Sequence, residues 1–303
     1  METMKLSSDE ISKLPNLGGG ACATVYKYSD ELAVKVFKKQ WMELHNEESF
    51  SEIFGIENET CVFPKCRIEI DGTFQGYAMQ YIDGSMLDQV VKEIDLKTLT
   101  EAIRKAESDL KLLSADKIMF NDVNQGGLMW TKDGKIKVID TDFFLKYEDI
   151  AEEKTYSHNL EHFNTMIEME TGFMEGPVYK YLSSKQEYFE IYNEYVRAAW
   201  TGKSMSVTVL FDKAVEVFTQ EFGITPSNIT EMETILKENN LFIQEEKETE
   251  IPVFEPPSID EIPMFSEMDV GRKTIDVPVE QKEKAQGQVS RDEQELEQGN
   301  IIE

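Results

Sequence analysis

The residues best suited to chemistry in this sequence lie near its start, in a glycine-rich turn that is followed by a lysine. Gly18, Gly19 and Gly20 precede a strand-like run that begins near Val25, and Lys35 lies within the apolar segment LAVKVF. Glycines let a backbone approach a phosphate closely. A charged lysine in an apolar strand is costly unless an anionic partner meets it. Together these residues predict a site for a nucleotide or another polyphosphate.

Acidic residues later in the chain supply the charges that such a site needs. Asp122 lies in FNDVNQGG, after a long predicted helix, and Asp140 closes the apolar run KVID. Mg²⁺ prefers carboxylate oxygens and completes its coordination with phosphate and water. Glu47 and Glu48, twelve and thirteen residues beyond Lys35, lie on a predicted acidic helix. This combination of groups can clamp a triphosphate.

The first part of the chain predicts two β-hairpins with one helix between them. Strand-like runs at 25–28 and 32–37 flank a short turn. Asp71 and Gly72 supply the positive backbone angles that favour the second hairpin turn. The segment 41–56 carries apolar residues at helical spacing. This unit places the glycine turn and the lysine on neighbouring strands.

The second part of the chain has a mainly helical pattern. The stretch TLTEAIRKAESDLKLL predicts a long helix, with Thr98 and Glu101 as a capping box at its start. Two short apolar runs joined through Asp133 and Gly134 predict a hairpin. Further helices follow, and Ser157 is expected to cap the first of them.

These elements predict an α+β protein, with a small antiparallel-sheet unit over residues 1–84 and a larger helical unit over 85–244. Residues 245–303 contain 17 acidic and 6 basic side chains, and five of the nine prolines. Such a segment buries too little apolar surface to offset its ordering entropy, so a disordered acidic tail is predicted. Its apolar clusters at 251–254 and 262–265 are candidate docking motifs, with a purely solubilising tail as the alternative.

The overall charge argues against several classes of protein. The chain has 31 Lys and Arg against 59 Asp and Glu, a net charge of −28. Binding to nucleic acid or anionic membrane needs clustered positive charge, so neither is expected. No apolar stretch reaches the roughly 18 to 20 residues that span a bilayer, and the opening METMKLSSDEISK is too polar for a signal peptide. We therefore expect a cytoplasmic protein.

The glycine turn and its lysine resemble the protein kinase family, in a divergent bacterial or phage-like form. Gly18, Gly20 and Val25 match the kinase loop GxGxxGxV, and Lys35 in AVKVF matches the lysine of VAIK. The resemblance covers roughly residues 11–170. It implies a two-lobed, protein-kinase-like fold with ATP and Mg²⁺ in the cleft between the lobes.

The same resemblance implies roles for residues further along. Asp122 matches the catalytic aspartate, which orients the acceptor hydroxyl, and Asp140, eighteen residues later, matches the metal-binding aspartate of DFG. The segment MQYIDG resembles the connection between the lobes, whose backbone would hold adenine near Gln80 to Ile82. Lys35 would pair with the α- and β-phosphates.

The helix partner of the lysine is expected to be Glu47, with Glu48 as the alternative. One departure from the family pattern concerns the metal: Gly127 stands where the metal-binding asparagine is expected. Asp142, at the glycine position of DFG, and Asn124, in the catalytic loop, are two hypothetical replacement ligands for a second metal ion.

The resemblance implies an ATP-dependent phosphotransferase that moves the γ-phosphate of Mg-ATP to a hydroxyl group of a protein partner or of the chain itself. A pseudokinase, acting as a nucleotide-binding or scaffolding module, is one alternative, favoured by Gly127. A small-molecule kinase is another, because only about a dozen residues separate Phe143 from the helix expected near Ser157.

Overall fold

The part of the chain described by the computed structural model is its first four-fifths, with short gaps, namely residues 2–42, 45, 50–203 and 205–241. The chain divides into two units, Met1–Ile262 and Pro263–Glu303, and all described residues belong to the first. The predicted acidic tail, 245–303, lies outside the described residues.

A six-stranded sheet forms the first part of the fold. Its strands are β1 (Thr3–Leu6), β2 (Asn16–Gly19), β3 (Ala23–Lys27), β4 (Leu32–Phe37), β5 (Pro64–Ile70) and β6 (Thr73–Gln80). Their order in space is β1-β5-β6-β4-β3-β2, and every pair is antiparallel except β1 with β5. The two predicted hairpins are confirmed as β3–β4 and β5–β6, and the pairing of β4 with β6 joins them into one sheet.

Strand β4 lies in the middle of this sheet and is covered on both faces. Successive side chains on a strand point to opposite sides. Phe37, on the same face as Lys35, packs into the main core, whereas Val34 packs on the other face in a small separate core with Ile11. Ile11 belongs to α1 (Ser8–Ser12), which was not predicted from the sequence. Burial on both sides explains why LAVKVF is apolar almost throughout.

The region between the two hairpins is described only in part. A 3₁₀ turn occupies Lys39–Trp41, and residues 51–55 form turns. Six of the sixteen residues of the helix predicted over 41–56 lie outside the described part, Glu47 and Glu48 among them, and the described residues of that range form 3₁₀ and turn structure in place of the predicted α-helix.

Helices dominate the second part of the fold. They are α2 (Leu87–Val90), α3 (Leu96–Ala115), α4 (Glu152–Thr171), α5 (Pro177–Ser183), α6 (Gln186–Trp200), α7 (Thr208–Phe222) and α8 (Ile229–Glu238). The long predicted helix is confirmed as α3, and its apolar face is buried.

Two predicted helix starts are wrong. The N-cap of α3 is Asp95, whose side chain accepts a hydrogen bond from the Thr98 N–H, so Thr98 lies in the first turn instead of capping it. Helix α4 starts at Glu152, before Ser157, whose hydroxyl donates to the carbonyl of Gly202. Asp95 takes the N-cap position of α3, and the Ser157 hydroxyl is used in a contact with a distant part of the chain. Each helix begins closer to the N-terminus of the chain than predicted.

Short strands connect the helices and border the loops that carry the acidic residues. They are β7 (Gly84–Met86), β8 (Ile118–Met119), β9 (Leu128–Thr131), β10 (Ile136–Val138) and β11 (Leu145–Lys146). The predicted hairpin through Asp133 and Gly134 is confirmed as β9–β10, and β11 pairs with β8. The protein is thus α+β, with a mostly antiparallel N-terminal sheet and a helical C-terminal part.

Within the described residues, no helix combines the length and the apolar composition needed to cross a membrane.

Candidate functional site

The centre of the candidate site is the side chain of Lys35. Its Nζ atom lies 2.8 Å from Oδ1 of Asp140 and 2.7 Å from Oδ2 of Asp142. Lys35 comes from the middle of the sheet, whereas both aspartates follow strand β10 in the second part of the fold. Residues more than a hundred positions apart in the sequence therefore meet at one point.

The two aspartates have different surroundings. The side chain of Asp142 is only 3 % exposed, and its Oδ1 accepts a hydrogen bond from the hydroxyl of Tyr77. The side chain of Asp140 is 36 % exposed. Both oxygens of Asp142 are thus held by protein donors, while Asp140 is partly open to solvent. These contacts make Asp142 a partner of Lys35, where the sequence suggested a metal ligand.

The electrostatics of this cluster favour a charged lysine. Burial lowers the pKa of Lys35, but Asp142 and Asp140 outweigh that effect, so the net pKa of Lys35 is raised. Burial raises the pKa of Asp142, and Lys35 partly opposes the increase. One ammonium facing two carboxylates leaves a local excess of negative charge, to which a polyphosphate is attracted only if a cation accompanies it.

Asn124 links the two other acidic groups of the site. Its Nδ2 atom donates to Oδ2 of Asp122 at 3.0 Å and lies 3.4 Å from Oδ2 of Asp140. The predicted catalytic aspartate and the predicted metal ligand are therefore bridged by one side-chain amide. Sequence proximity alone suggested Asn124, and its contacts now place it between the two carboxylates.

The position of Asn124 also explains the unexpected Gly127. A Cβ atom placed on Gly127 would lie 2.8 Å from Oδ1 of Asn124, and it would also collide with the end of the Met166 side chain. The Asn124 amide therefore fills the space that a side chain at position 127 would need. The absence of a side chain at Gly127 thus leaves room for the side chains of Asn124 and Met166.

The loop that carries Asp122 is anchored by helix α4. Asn159 accepts a hydrogen bond from the Phe120 N–H at 2.8 Å, and the ring of His158 bonds the Phe120 carbonyl, also at 2.8 Å. At the other end of the loop, the carboxylate of Glu170 accepts from the Gly126 N–H. Sequence analysis missed all three anchors. Polar residues on the inward face of a predicted helix are a signal for them, because buried polar groups need hydrogen-bond partners.

The segment that carries Asp140 is held by contacts with the residues that lead into β5 and with the loop that carries Asp122. The hydroxyl of Thr141 donates to the carbonyl of Val62 at 3.0 Å. Phe144 stacks on Phe120, with 4.5 Å between ring centroids, and the Asn121 amide donates to the carbonyl of Phe143 at 3.2 Å. The two acidic segments are thereby packed against each other.

The glycine turn between β2 and β3 has the geometry that its sequence suggested. Gly18 has φ of +143°, and a Cβ atom on Gly19 would lie 2.9 Å from the carbonyl oxygen of Ala23. Both positions therefore favour glycine. At Gly20 a side chain would meet no atom within 4 Å, so the fold itself does not require glycine there. The Lys38 ammonium donates to the Gly20 carbonyl at 2.8 Å, which links the turn to the end of β4.

The tip of this turn faces the charged cluster. Burial raises the pKa of Cys22, at the tip, and the charges of Lys35, Asp142 and Asp140 also act on its thiol. Val25 pairs with Lys35 across β3 and β4 and packs against the main core. Val25 and Lys35 are therefore neighbours on adjacent strands, and the charges of the cluster act on the thiol at the tip of the glycine turn.

The predicted adenine-binding segment lies where the chain leaves the sheet. Gln80 ends β6, is exposed, and pairs with Leu32 of β4. Tyr81 donates its N–H to the carbonyl of Glu31 at 2.9 Å, and Ile82 is 9 % exposed. The segment connects the sheet to the helical part. Glu47, the predicted helix partner of Lys35, lies outside the described residues.

The donor set suits a metal ion that is shared with a phosphate. Within the described part of the chain, no group of three or more His, Cys, Asp and Glu residues is arranged to hold a metal ion. Asp140 offers a carboxylate that is 36 % exposed, whereas Asn124 directs its Nδ2 towards Asp140 and Asp122, so its amide must turn before its oxygen can bind a metal ion. Mg²⁺ is commonly bound through one or two carboxylates, with water and substrate phosphate as its other ligands. The residues present therefore fit Mg²⁺ bound together with a nucleotide.

Comparisons of this chain with protein-family models and with curated proteins find no match. The resemblance to protein kinases therefore depends on the motifs around Lys35, Asp122 and Asp140 and on the geometry described above.

Proposed function

We propose that this protein is an ATP-dependent phosphotransferase with a two-lobed, protein-kinase-like fold, which transfers the γ-phosphate of Mg-ATP to a protein hydroxyl group. The observation that carries the proposal is the convergence of three segments at one site. Lys35 contacts Asp140 at 2.8 Å, and Asn124 joins Asp140 to Asp122. The glycine turn lies next to the same cluster, since its Cys22 thiol is within reach of these charges.

The architecture agrees with the kinase-like fold. A sheet with the lysine on its central strand is followed by a helical part, and the two acidic loops lie between short strands of that part. A small sheet lobe over a larger helical lobe is the arrangement that the motif resemblance implies. The segment from Gln80 to Ile82 would form the connection and offer its backbone to adenine.

Each residue of the site then has a role in phosphoryl transfer. The ammonium of Lys35 binds the α- and β-phosphates, and the backbone N–H groups of the glycine turn cover them. Asp140 and Asn124 hold Mg²⁺, which when bound neutralises negative charge on the phosphates. Loss of water from the cleft would strengthen all these interactions, because charges attract more strongly at low dielectric constant.

We assign to Asp122 the acceptance of the proton from the acceptor hydroxyl. Its Oδ2 atom accepts from Asn124, which fixes the orientation of the carboxylate. The other oxygen is then the one that orients the acceptor hydroxyl and takes its proton, as the new phosphate ester bond forms and the bond from the γ-phosphate to the leaving ADP breaks. A positioned general base of this kind contributes about 10²- to 10⁴-fold to a rate.

A thermal-shift titration followed by a labelling assay tests the proposal. A ligand present at one hundred times its dissociation constant stabilises the folded protein by about 2.7 kcal/mol, so Mg-ATP should raise the melting temperature clearly. γ-Labelled ATP should label the protein or an added protein acceptor. Asp122→Asn should reduce labelling by about 10²-fold or more while ATP binding persists.

The matched control is Asp149→Asn, an exposed aspartate outside the site. It should leave both binding and labelling unchanged. Absence of any thermal shift with Mg-ATP would overturn the nucleotide-binding role. Equal labelling of the wild type and Asp122→Asn would overturn the role of Asp122.

The pseudokinase alternative is favoured by one specific observation. Lys35 is already neutralised by two carboxylates, and Gly127 offers no side chain to a second metal ion. A pseudokinase would bind ATP without transferring its phosphate. Binding of Mg-ATP together with wild-type labelling no greater than that of Asp122→Asn would select this alternative.

An exchange of Asn124 and Gly127 tests whether Asn124 is the metal ligand. Gly127→Asn alone should impair Mg²⁺-dependent ATP binding, because the new side chain collides with Asn124. Asn124→Gly alone should weaken it because an amide ligand is lost. The double variant, Asn124→Gly with Gly127→Asn, removes the collision with Asn124 but keeps the one with Met166, so it should recover the binding only in part. Full Mg²⁺ dependence in Asn124→Gly would show that Asn124 is not a ligand.

A further inference from the structure

We infer that Tyr77 and Asp142 form a fixed support for the Lys35 ammonium, whereas Asp140 is its exchangeable partner, which a divalent cation takes over when a polyphosphate binds. The support is a property of the folded chain alone. The exchange rests on the proposed function, because it needs a polyphosphate in the cleft.

The support is built by the register of the sheet. Lys35 on β4 and Tyr77 on β6 are directly paired residues, so their side chains project from the same face. Tyr77 is fully buried, and its hydroxyl donates to Oδ1 of Asp142. Oδ2 of Asp142 lies 2.7 Å from the Lys35 ammonium. One carboxylate thus bridges two neighbouring strands.

Burial makes this arrangement difficult to replace. Asp142 is 3 % exposed, and a buried carboxylate without donors is very costly. Each of its oxygens has a donor, one from Tyr77 and one from Lys35. Water has little access to compete for these contacts. Asp142 therefore stays with Lys35 whatever occupies the cleft.

Asp140 is in the opposite situation. Its side chain is 36 % exposed, so water or a cation can reach it. Oδ1 contacts Lys35, and Oδ2 lies 3.4 Å from the Asn124 amide, which is a long contact. Asp140 can leave Lys35 without exposing a buried charge to an apolar environment.

The exchange leaves Lys35 paired with Asp142 and couples the binding of two ligands. When Asp140 turns to a cation, Lys35 and Asp142 remain as a neutral pair, and the ammonium gains a free direction towards a phosphate oxygen. A cation on Asp140 thus favours phosphate on Lys35, and phosphate on Lys35 favours the cation by the same factor. No covalent step is involved.

The support is tested first without nucleotide, by carbon-13 NMR titration of the aspartate carboxyl groups in the full chain. Tyr77→Phe removes a hydrogen bond to the charged form, so the pKa of Asp142 should rise by about 1 to 2 pH units. The Asp142 signal is assigned from its absence in Asp142→Asn. Tyr28→Phe, which removes an exposed hydroxyl near the end of β3, should leave it unchanged.

The exchange is tested by measuring ATP affinity with and without Mg²⁺. Asp140→Asn should abolish most of the affinity gained from Mg²⁺. Tyr77→Phe should weaken ATP binding by about threefold to tenfold in both conditions, because Lys35 is less well positioned. The gain from Mg²⁺ should persist in Tyr77→Phe and in Tyr28→Phe.

The outcomes separate this inference from the proposed function. An unchanged Asp142 titration in folded Tyr77→Phe overturns the support, even if ATP binds. ATP binding with a full Mg²⁺ gain in Asp140→Asn overturns the exchange. If the wild type binds no ATP, the proposed function and the exchange both fail, whereas the NMR titration still decides the support.

Discussion

The loop after β8 and the segment after β10 deliver carboxylates to the same cluster, but different parts of the molecule hold them. The first carries Asp122 and is anchored from helix α4, through His158 and Glu170. The second carries Asp142 and is anchored from the sheet, through Lys35. A backbone hydrogen bond of 3.0 Å from Ile139 to Gly127 joins the two segments.

This difference separates the buried supporting groups from the more accessible carboxylates to which we assign chemistry. The group that supports each segment is buried. The side chain of Asp142 is 3 % exposed, and Glu170, on helix α4, is also 3 % exposed. The groups assigned to chemistry, Asp122 and Asp140, are half-buried or more accessible. Buried charges need fixed partners, whereas accessible charges can change theirs. Four variants test this division, from the largest expected effect to the smallest.

Lys35→Met should have the largest effect, because it leaves Asp142 buried without its cation. Removing one partner of a buried pair costs about 3 to 5 kcal/mol of unfolding free energy. Burial already raises the pKa of Asp142, and loss of Lys35 raises it further. The stability deficit should therefore be greatest near about pH 7 and shrink as the pH falls through the raised pKa, as Asp142 becomes neutral. Urea denaturation at several pH values measures it.

The double variant Lys35→Met with Asp142→Asn is the control for that result. It removes both charges, so it should recover most of the lost stability without recovering ATP binding. A pH-independent deficit in Lys35→Met would show that the buried charge of Asp142 is not its cause. The anchoring of the segment after β10 through Lys35 would then need another explanation.

Glu170→Ala should have the next largest effect and act on the other segment. It leaves the Gly126 N–H without its acceptor, at a cost of about 1 to 3 kcal/mol. Hydrogen exchange at the Gly126 amide should accelerate, while the titration of Lys35 stays unchanged. Glu170→Gln, which keeps a side-chain oxygen, should behave more like the wild type. A changed Lys35 titration would contradict the independence of the two supports.

His158→Gln should change the acid stability of the helix-held loop. Burial and the nearby His162 lower the pKa of His158 to about 4, although its bond to the Phe120 carbonyl opposes them. The folded form therefore excludes a proton that the unfolded chain accepts below about pH 6.5. Stability from this group is complete above that pH and is lost as the pH falls towards about 4.

At about pH 5 this loss amounts to about 2 kcal/mol. Relative to its own value near about pH 8, the His158→Gln protein should thus lose about 2 kcal/mol less than the wild type on acidification. Parallel stability curves for the two proteins between about pH 8 and about pH 5 would show that His158 does not carry the effect.

Asp95→Ala should have the smallest effect and touch neither segment. It removes the N-cap of α3 and should cost about 1 kcal/mol of stability. Thr98→Ala, at the position where the sequence suggested a cap, should cost less. Neither variant should change ATP binding. A reduced ATP affinity in Asp95→Ala would show that general stability, and not the two supports, controls the site.

Local patterns in the sequence located much of the candidate site. Glycines at 18 and 19, a lysine in an apolar strand and an aspartate after another strand are signals that short stretches contain. The hairpins and the long helix α3 were predicted for the same reason, since turn residues and helical spacing act over a few positions. The small α1 was missed because its one buried residue, Ile11, gives no periodic pattern.

The sequence by itself determined the parts: the strands and helices, the acidic composition, and the residue types that suit a phosphate and a metal ion. Only the tertiary structure decided the different surroundings of the two aspartates that contact Lys35. Asp140 and Asp142 are two residues apart and identical in type. Asp142 is buried against Tyr77, whereas Asp140 is partly open to solvent. The reason is that burial and strand register depend on residues distant in the chain, and these set the cost of each charge.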